Sequence, residues 1–205
     1  MADVWIKFCG CTASSDVVLA AQAGANAFGM IFAPSPRRVT WQAANDIAAR
    51  MPSTIEPVAV FVNPARGEVE KVRSLFPHAW LQFSGQETPE FVAGYGERAI
   101  KTIHVGDDEP GVAEAAGLFP YALLLFDSRH DGLAGGTGKT FAWEHAGEIA
   151  KERRVVIAGG LTPQNVGECV ERLHPFGVDV RSGIETDGRK DPAKMRAFVR
   201  AVRRQ

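Results

Sequence analysis

The sequence predicts an α/β protein, a single-domain (βα)8 TIM barrel, on three observations. One unit recurs along the chain: a short apolar run rich in β-formers, a turn, then a segment with apolar residues at helical spacing. It is about 25 residues long, the size of one strand with its helix, and eight copies fill the chain with no segment left over. The runs are also continuously apolar, as in "VAVFV" (58–62) and "ALLLF" (122–126). Strands read that way when helices bury both faces of a parallel sheet. The alternative, an open doubly wound sheet, usually has about five to seven strands. No Pro/Ser-rich linker or shift in composition divides the chain, so residues 1–205 are expected to form one domain.

The first unit pairs a strand at Val4–Cys9 with a helix at Asp16–Ala23, closed by Gly24 as C-cap. The second pairs Ala27–Phe32 with Gln42–Met51, the third Pro57–Val62 with Glu68–Leu75, and the fourth Trp80–Ser84 with Pro89–Tyr95. In the fifth, Ala99–Val105 precedes Glu109–Leu118, a weaker helix because Gly111 and Gly117 interrupt it. The sixth joins Ala122–Asp127 to Phe141–Ala150. The seventh joins Arg154–Ala158 to Pro163–Leu173, where Thr162 reads as N-cap and Pro163 as the first helical residue. The eighth joins Gly177–Val180 to Pro192–Arg203, with Asp191-Pro192 repeating that signal.

Bulk numbers narrow the function. The chain is 45% apolar and 23% charged, with net charge −1. It therefore offers no electrostatic case for binding nucleic acid or an anionic membrane. Its longest apolar runs, about six residues, fall far short of a bilayer span. The start, Met-Ala-Asp-Val-Trp-Ile-Lys, lacks the apolar region of a signal peptide. Cys9, Cys11 and Cys169 are too few, and odd in number, for a disulfide framework. A reducing, cytoplasmic location is expected. No Cys or His falls at ligand spacing, so no metal is expected.

Barrels of this class place their chemistry where the strands end. Those ends carry Lys7-Phe8-Cys9-Gly10, Arg37-Arg38, Asn63, Gln82-Phe83-Ser84-Gly85, His104, Asp127, Gly159-Gly160, and Asp179 with Arg181-Ser182-Gly183. Gly159-Gly160 stands ahead of a capped helix, and "RSGIE" supplies further backbone N–H groups after the last strand. Loops seven and eight commonly bind phosphate on bare amides. Cys9 and Asp127 could face each other across the mouth, one as base and one as acid. Two plainer alternatives stay open: Cys9 as a small buried apolar residue, and Asp127 as a cap. A thiol titrates near 8.5 and needs a modest depression to act as a base near neutrality.

The stretch "DGLAGGTGKTF", Asp131–Phe141, looks like a nucleotide-binding loop but fails on spacing. A P-loop needs glycine five residues before Gly138, and that position is Leu133. Placed after strand six, its small residues suit a lid over bound substrate, with Lys139 as an anchor.

Motifs along nearly the whole chain resemble the phosphoribosylanthranilate isomerase family. They are "KFCGCT", "GMIFAPSPRRV", "VAVFVN", "LLLFDS", "GGTGKTF", "AGGLTPQNV", "GVDVRSGIE" and "KDPAKMRAFV", in the family's order. The resemblance implies a (βα)8 barrel and an Amadori rearrangement in L-tryptophan biosynthesis. N-(5-phosphoribosyl)anthranilate would become 1-(2-carboxyphenylamino)-1-deoxyribulose 5-phosphate. It implies Asp127 as general acid, Cys9 as base and Arg37 on the anthranilate carboxylate. Gly159, Gly160, Ser182 and Gly183 would hold the 5′-phosphate. It implies no cofactor and a phosphorylated sugar as the partner. The chain is expected to act as a monomer or weak homodimer. Departures from the family pattern are Ser84 for a usual His, Arg181 for Ser, Phe8 and Cys11 for Ile, and Ala142 for a common Asp. Ser84 and Arg181 motivate a second reading, a related sugar-phosphate enzyme with another substrate. A third is a non-catalytic barrel that binds a phosphorylated ligand; retention of both Cys9 and Asp127 argues against it.

Overall fold

Each apolar run pairs in parallel with the one before it, and the last returns to the first. In the computed structural model, which describes residues 3–105, 111–128 and 141–204, eight strands close a barrel in sequence order. They are β1 (Trp5–Cys9), β2 (Ala27–Ile31), β3 (Glu56–Phe61), β4 (Trp80–Phe83), β5 (Ala99–Val105), β6 (Leu123–Ser128), β7 (Val155–Ala158) and β8 (Gly177–Val180). The seam between β1 and β8 pairs Trp5 with Gly177 and Lys7 with Asp179.

Side chains alternate across each strand, and both faces are dry. Trp5, Cys9, Ala27, Val58, Val60, Ile100, Leu123, Leu125, Val156 and Ala158 fill the barrel. Their neighbours Ile6, Phe8, Phe28, Met30, Phe61, Phe83, Leu124, Phe126 and Val178 pack outward under the helices. That double burial is why the strands read as unbroken apolar runs.

The helices are α1 (Ser14–Ala23), α2 (Trp41–Arg50), α3 (Arg66–Leu75), α4 (Pro89–Ala93), α5 (Val112–Gly117), α6 (Phe141–Ala150), α7 (Val166–Leu173) and α8 (Pro192–Arg203). Gly24 ends α1 at φ 92°, as its C-cap role requires. Asp191 caps α8 by accepting from the N–H groups of Ala193 and Lys194.

Three departures from expectation shape the loops at the strand ends and between elements. Helix α7 begins at Val166, not Pro163. Asn165 Oδ1 accepts from Thr162 N–H at 2.8 Å while its Nδ2 donates to the Gly160 carbonyl at 3.0 Å, so the first turn folds onto the loop instead of opening the helix. Helix α4 stops at Ala93, and a 3₁₀ turn at Gly96–Arg98 follows. A two-stranded hairpin, β9 (Glu185–Thr186) with β10 (Arg189–Lys190), stands between β8 and α8. The expected lid over 131–140 lies outside the described residues, as does the start of the helix expected from Glu109.

Candidate functional site

Strand β1 aims Trp5, Lys7 and Cys9 into the barrel by alternation. Lys7 is fully buried, and its Nζ donates to Asp179 Oδ1 at 2.9 Å across the seam. Gly29 faces Cys9 in the β1–β2 register. A Cβ there would sit 3.0 Å from Cys9 Sγ and 3.1 Å from Lys7 Nζ, so glycine leaves room for thiol and ammonium together. Burial pushes the Cys9 thiol above its ordinary value; Lys7 pulls it down, Asp179 pushes it up, and the net direction is up. Burial also opposes the charge on Lys7, but Asp179 and Cys9 outweigh it and the ammonium is held more firmly than usual.

Asp127, last but one in β6, lies on the inward face in line with Leu123 and Leu125. Burial raises its carboxyl, opposed by His104, Arg181 and Lys7 and reinforced by Asp179. Next to it on β5 is His104, with Nδ1 3.9 Å from Asp127 Oδ2 and Nε2 3.0 Å from the Ser84 carbonyl. The Ser84 hydroxyl lies 2.9 Å from Thr102 Oγ1, and Gln82 Nε2 reaches both hydroxyls at 3.2 Å. At the position where the resemblance leads one to expect an imidazole there is thus a small hydroxyl, and an imidazole arrives from β5.

Arg37, in the loop after β2, forms a two-point pair with Glu185 through Nε (3.1 Å to Oε1) and Nη2 (to Oε2). Lys190 joins the same carboxylate at 2.9 Å and donates to the Cys9 carbonyl at 2.6 Å. Burial alone would raise the Glu185 carboxyl, but hydrogen bonds from Arg37 and Lys190 leave it lowered. Arg37 and Arg181 lay their stems over Gly10, where a Cβ would meet Arg37 Cδ at 3.1 Å and Arg181 Cγ at 3.4 Å. Asp179, two residues before Arg181, pairs with Lys7 across the seam.

The two glycine loops lie against each other. Gly159 and Gly160 both have positive φ, 87° and 61°. Beyond Gly160 a Cβ would meet nothing within 4 Å, whereas one at Gly183 would fall 2.0 Å from the Leu161 carbonyl oxygen. Ser182 and Gly183 open a 3₁₀ turn, Ser182–Ile184. The loops after β7 and β8 therefore present glycine backbone side by side at the strand ends, a surface suited to an anion on bare amides.

All seven candidate residues belong to segments that leave the same ends of the strands. Lys7, His104, Glu185 and Lys190 received no role from sequence. A lysine inside an apolar run was the one available signal for Lys7. Glu185 and Lys190 carry none, since their contacts span 148 and 181 residues.

Comparisons with known proteins agree with this geometry. The family model described as N-(5'phosphoribosyl)anthranilate (PRA) isomerase matches residues 6–201. The N-(5'-phosphoribosyl)anthranilate isomerase of Desulforudis audaxviator is 38% identical over 198 residues, covering 97% of this chain and 97% of that one. The phosphoribosyl anthranilate isomerase structure from Thermotoga maritima superposes with a TM-score of 0.88 at 31% identity, covering 98% of this chain and 100% of that one. A phosphoribosyl anthranilate isomerase structure in complex with reduced 1-(o-carboxyphenylamino)-1-deoxyribulose 5-phosphate superposes at 0.85 with 28% identity, covering 98% and 100%. With its family model matched over residues 6–201, the chain belongs to the N-(5'-phosphoribosyl)anthranilate isomerase family.

Proposed function

We propose that this chain converts N-(5-phosphoribosyl)anthranilate into 1-(2-carboxyphenylamino)-1-deoxyribulose 5-phosphate, the Amadori step of tryptophan biosynthesis, with Asp127 as acid and Cys9 as base. The observation that carries the reading is one strand-end rim holding an inward carboxyl, an inward thiol beside an ammonium, and paired glycine loops. Asp127 gives its proton to the furanose oxygen as the C1–O bond breaks, and the anthranilate nitrogen lone pair forms the Schiff base. Cys9, as thiolate, takes the proton from C2, and those electrons return toward nitrogen to give the enolamine. Loss of the C2 hydroxyl proton and protonation of C1 yield the ketone. No electrons leave the substrate, so the chemistry consists of proton transfers.

Gly159, Gly160, Ser182 and Gly183 hold the 5′-phosphate on backbone N–H groups. Arg37 binds the anthranilate carboxylate. Its Nε edge is occupied by Glu185, which fixes the guanidinium plane and leaves the Nη1–Nη2 end for two parallel charge-assisted bonds. Lys7 lowers the cost of forming the buried thiolate beside it.

The test is turnover of the purified chain on this substrate. Cys9→Ala and Asp127→Asn are each expected to lower kcat by on the order of 10²–10⁴-fold with the fold retained. Arg37→Ala is expected to act mainly on KM. Near-normal turnover in either of the first two variants removes the assigned roles.

A further inference from the structure

His104 has no part in the mechanism above, yet its surroundings restrict what it can do. It sits opposite Asp127 in the β5–β6 register, and both side chains face the barrel interior. Nε2 points at the Ser84 carbonyl, 3.0 Å away. A carbonyl only accepts, so Nε2 carries a hydrogen, and in the neutral ring Nδ1 then holds a lone pair. That atom is shielded from solvent and has no hydrogen-bond partner among the described residues. What it faces is Asp127 Oδ2 at 3.9 Å. A lone pair opposite a carboxylate is unfavourable, and a proton on either group removes the conflict.

We propose that His104 and Asp127 share a single proton, and that His104 is a positioning residue that decides when Asp127 can act as an acid. The inference rests on the reading of Asp127 as general acid. Two arrangements carry the same proton: neutral imidazole with carboxylic acid, or imidazolium with carboxylate. Only the first can protonate the furanose oxygen. With two places for it, the pair keeps its proton to a higher pH than Asp127 would alone. The isomerisation consumes no proton overall, so the pair is reset at the end of each turnover. Among the described residues, the other charges acting on Asp127 are Lys7 from β1, Asp179 from β8 and Arg181 beyond it. The two cations favour carboxylate, and Asp179 favours the acid.

The consequence is readable in kcat/KM against pH, which reports the free enzyme. In the wild type, activity rises with pH, through the growing thiolate fraction, until the pair loses its shared proton, and only then levels off. In His104→Gln the amide can still donate to the Ser84 carbonyl but cannot hold a proton. Asp127 then loses its own proton earlier, and the low-pH limb moves to lower pH by on the order of one unit. The plateau is expected to stay within about threefold, because above the limb both proteins hold the acid form to the same extent. A loss at every pH with the limb unmoved, or a wild-type profile, overturns the proposal.

A second measurement, on the unsubstituted protein, does not depend on how the variant folds. Imidazole ¹⁵N shifts of His104 are expected to show the Nε2–H tautomer at alkaline pH, and its titration is expected to move in Asp127→Asn. An Nδ1–H tautomer, or a titration indifferent to Asp127→Asn, overturns the shared proton. If Asp127→Asn turns over normally, it is the acid assignment that fails. If that variant is inactive and His104→Gln keeps the wild-type limb, only the shared proton fails.

Discussion

Cys9 and Asp127 divide the work in an order that their surroundings reverse. Burial raises both groups. The carboxyl starts from about 3.9 and the thiol from about 8.5, so with both raised the carboxyl remains the stronger acid. A base weaker in its proton release than the acid it works with leaves a small fraction of molecules with both groups correctly protonated. The two limbs of the pH profile then exchange identity. Activity climbs until the acid side starts to lose its proton, stays level, and falls only when the thiolate fraction saturates while the acid form keeps declining. The alkaline fall therefore belongs to Cys9. In a Cys11→Ser/Cys169→Ser background, thiolate absorbance is expected to show a midpoint for Cys9 above about 8.5, coincident with that fall. A midpoint at or below neutrality would contradict it. The sequence suggested a need for a depressed thiol; the barrel instead buries the thiol and sets an ammonium beside it.

Gly183 shows how two loops become one surface. Its missing Cβ would overlap the Leu161 carbonyl oxygen at 2.0 Å, so the loops after β7 and β8 can approach only if this residue has no side chain. Gly183→Ala is expected to push them apart, raising KM for the phosphorylated substrate more than it lowers kcat; a saturation curve with unchanged KM would count against the phosphate assignment. The strands were legible to within one residue at each end, because two-sided burial writes an unambiguous apolar run. Helix α7 was not, because Thr162-Pro163 is a sound start signal that Asn165 overrides by bonding back to Gly160 and Thr162. Nor was the β9–β10 hairpin, whose four residues are all polar, three of them charged, with no alternation of apolar and polar side chains. The rim could be found by locating strand ends. The links among Arg37, Glu185 and Lys190 could not, since they exist only once the chain has closed on itself.

That closure rests on Lys7 and Asp179, side by side at the seam between the first and last strands. Removing one partner leaves the other charge buried without compensation. Lys7→Met is expected to destabilise the protein by about 3–5 kcal/mol, while Lys7→Met with Asp179→Leu recovers most of the loss. Urea unfolding of the wild type, the two single variants and the double variant decides the matter, and additive losses would show that the two side chains do not act as a pair. The seam also sets a timetable. Residues 5–9 leave the ribosome before their β8 neighbours, 177–180, so the first strand waits through the synthesis of the six strands between them with one edge unpaired. During that interval the lysine that later lies dry in the barrel remains a hydrated charge. It keeps a nascent apolar strand soluble until the last strand arrives to cover it.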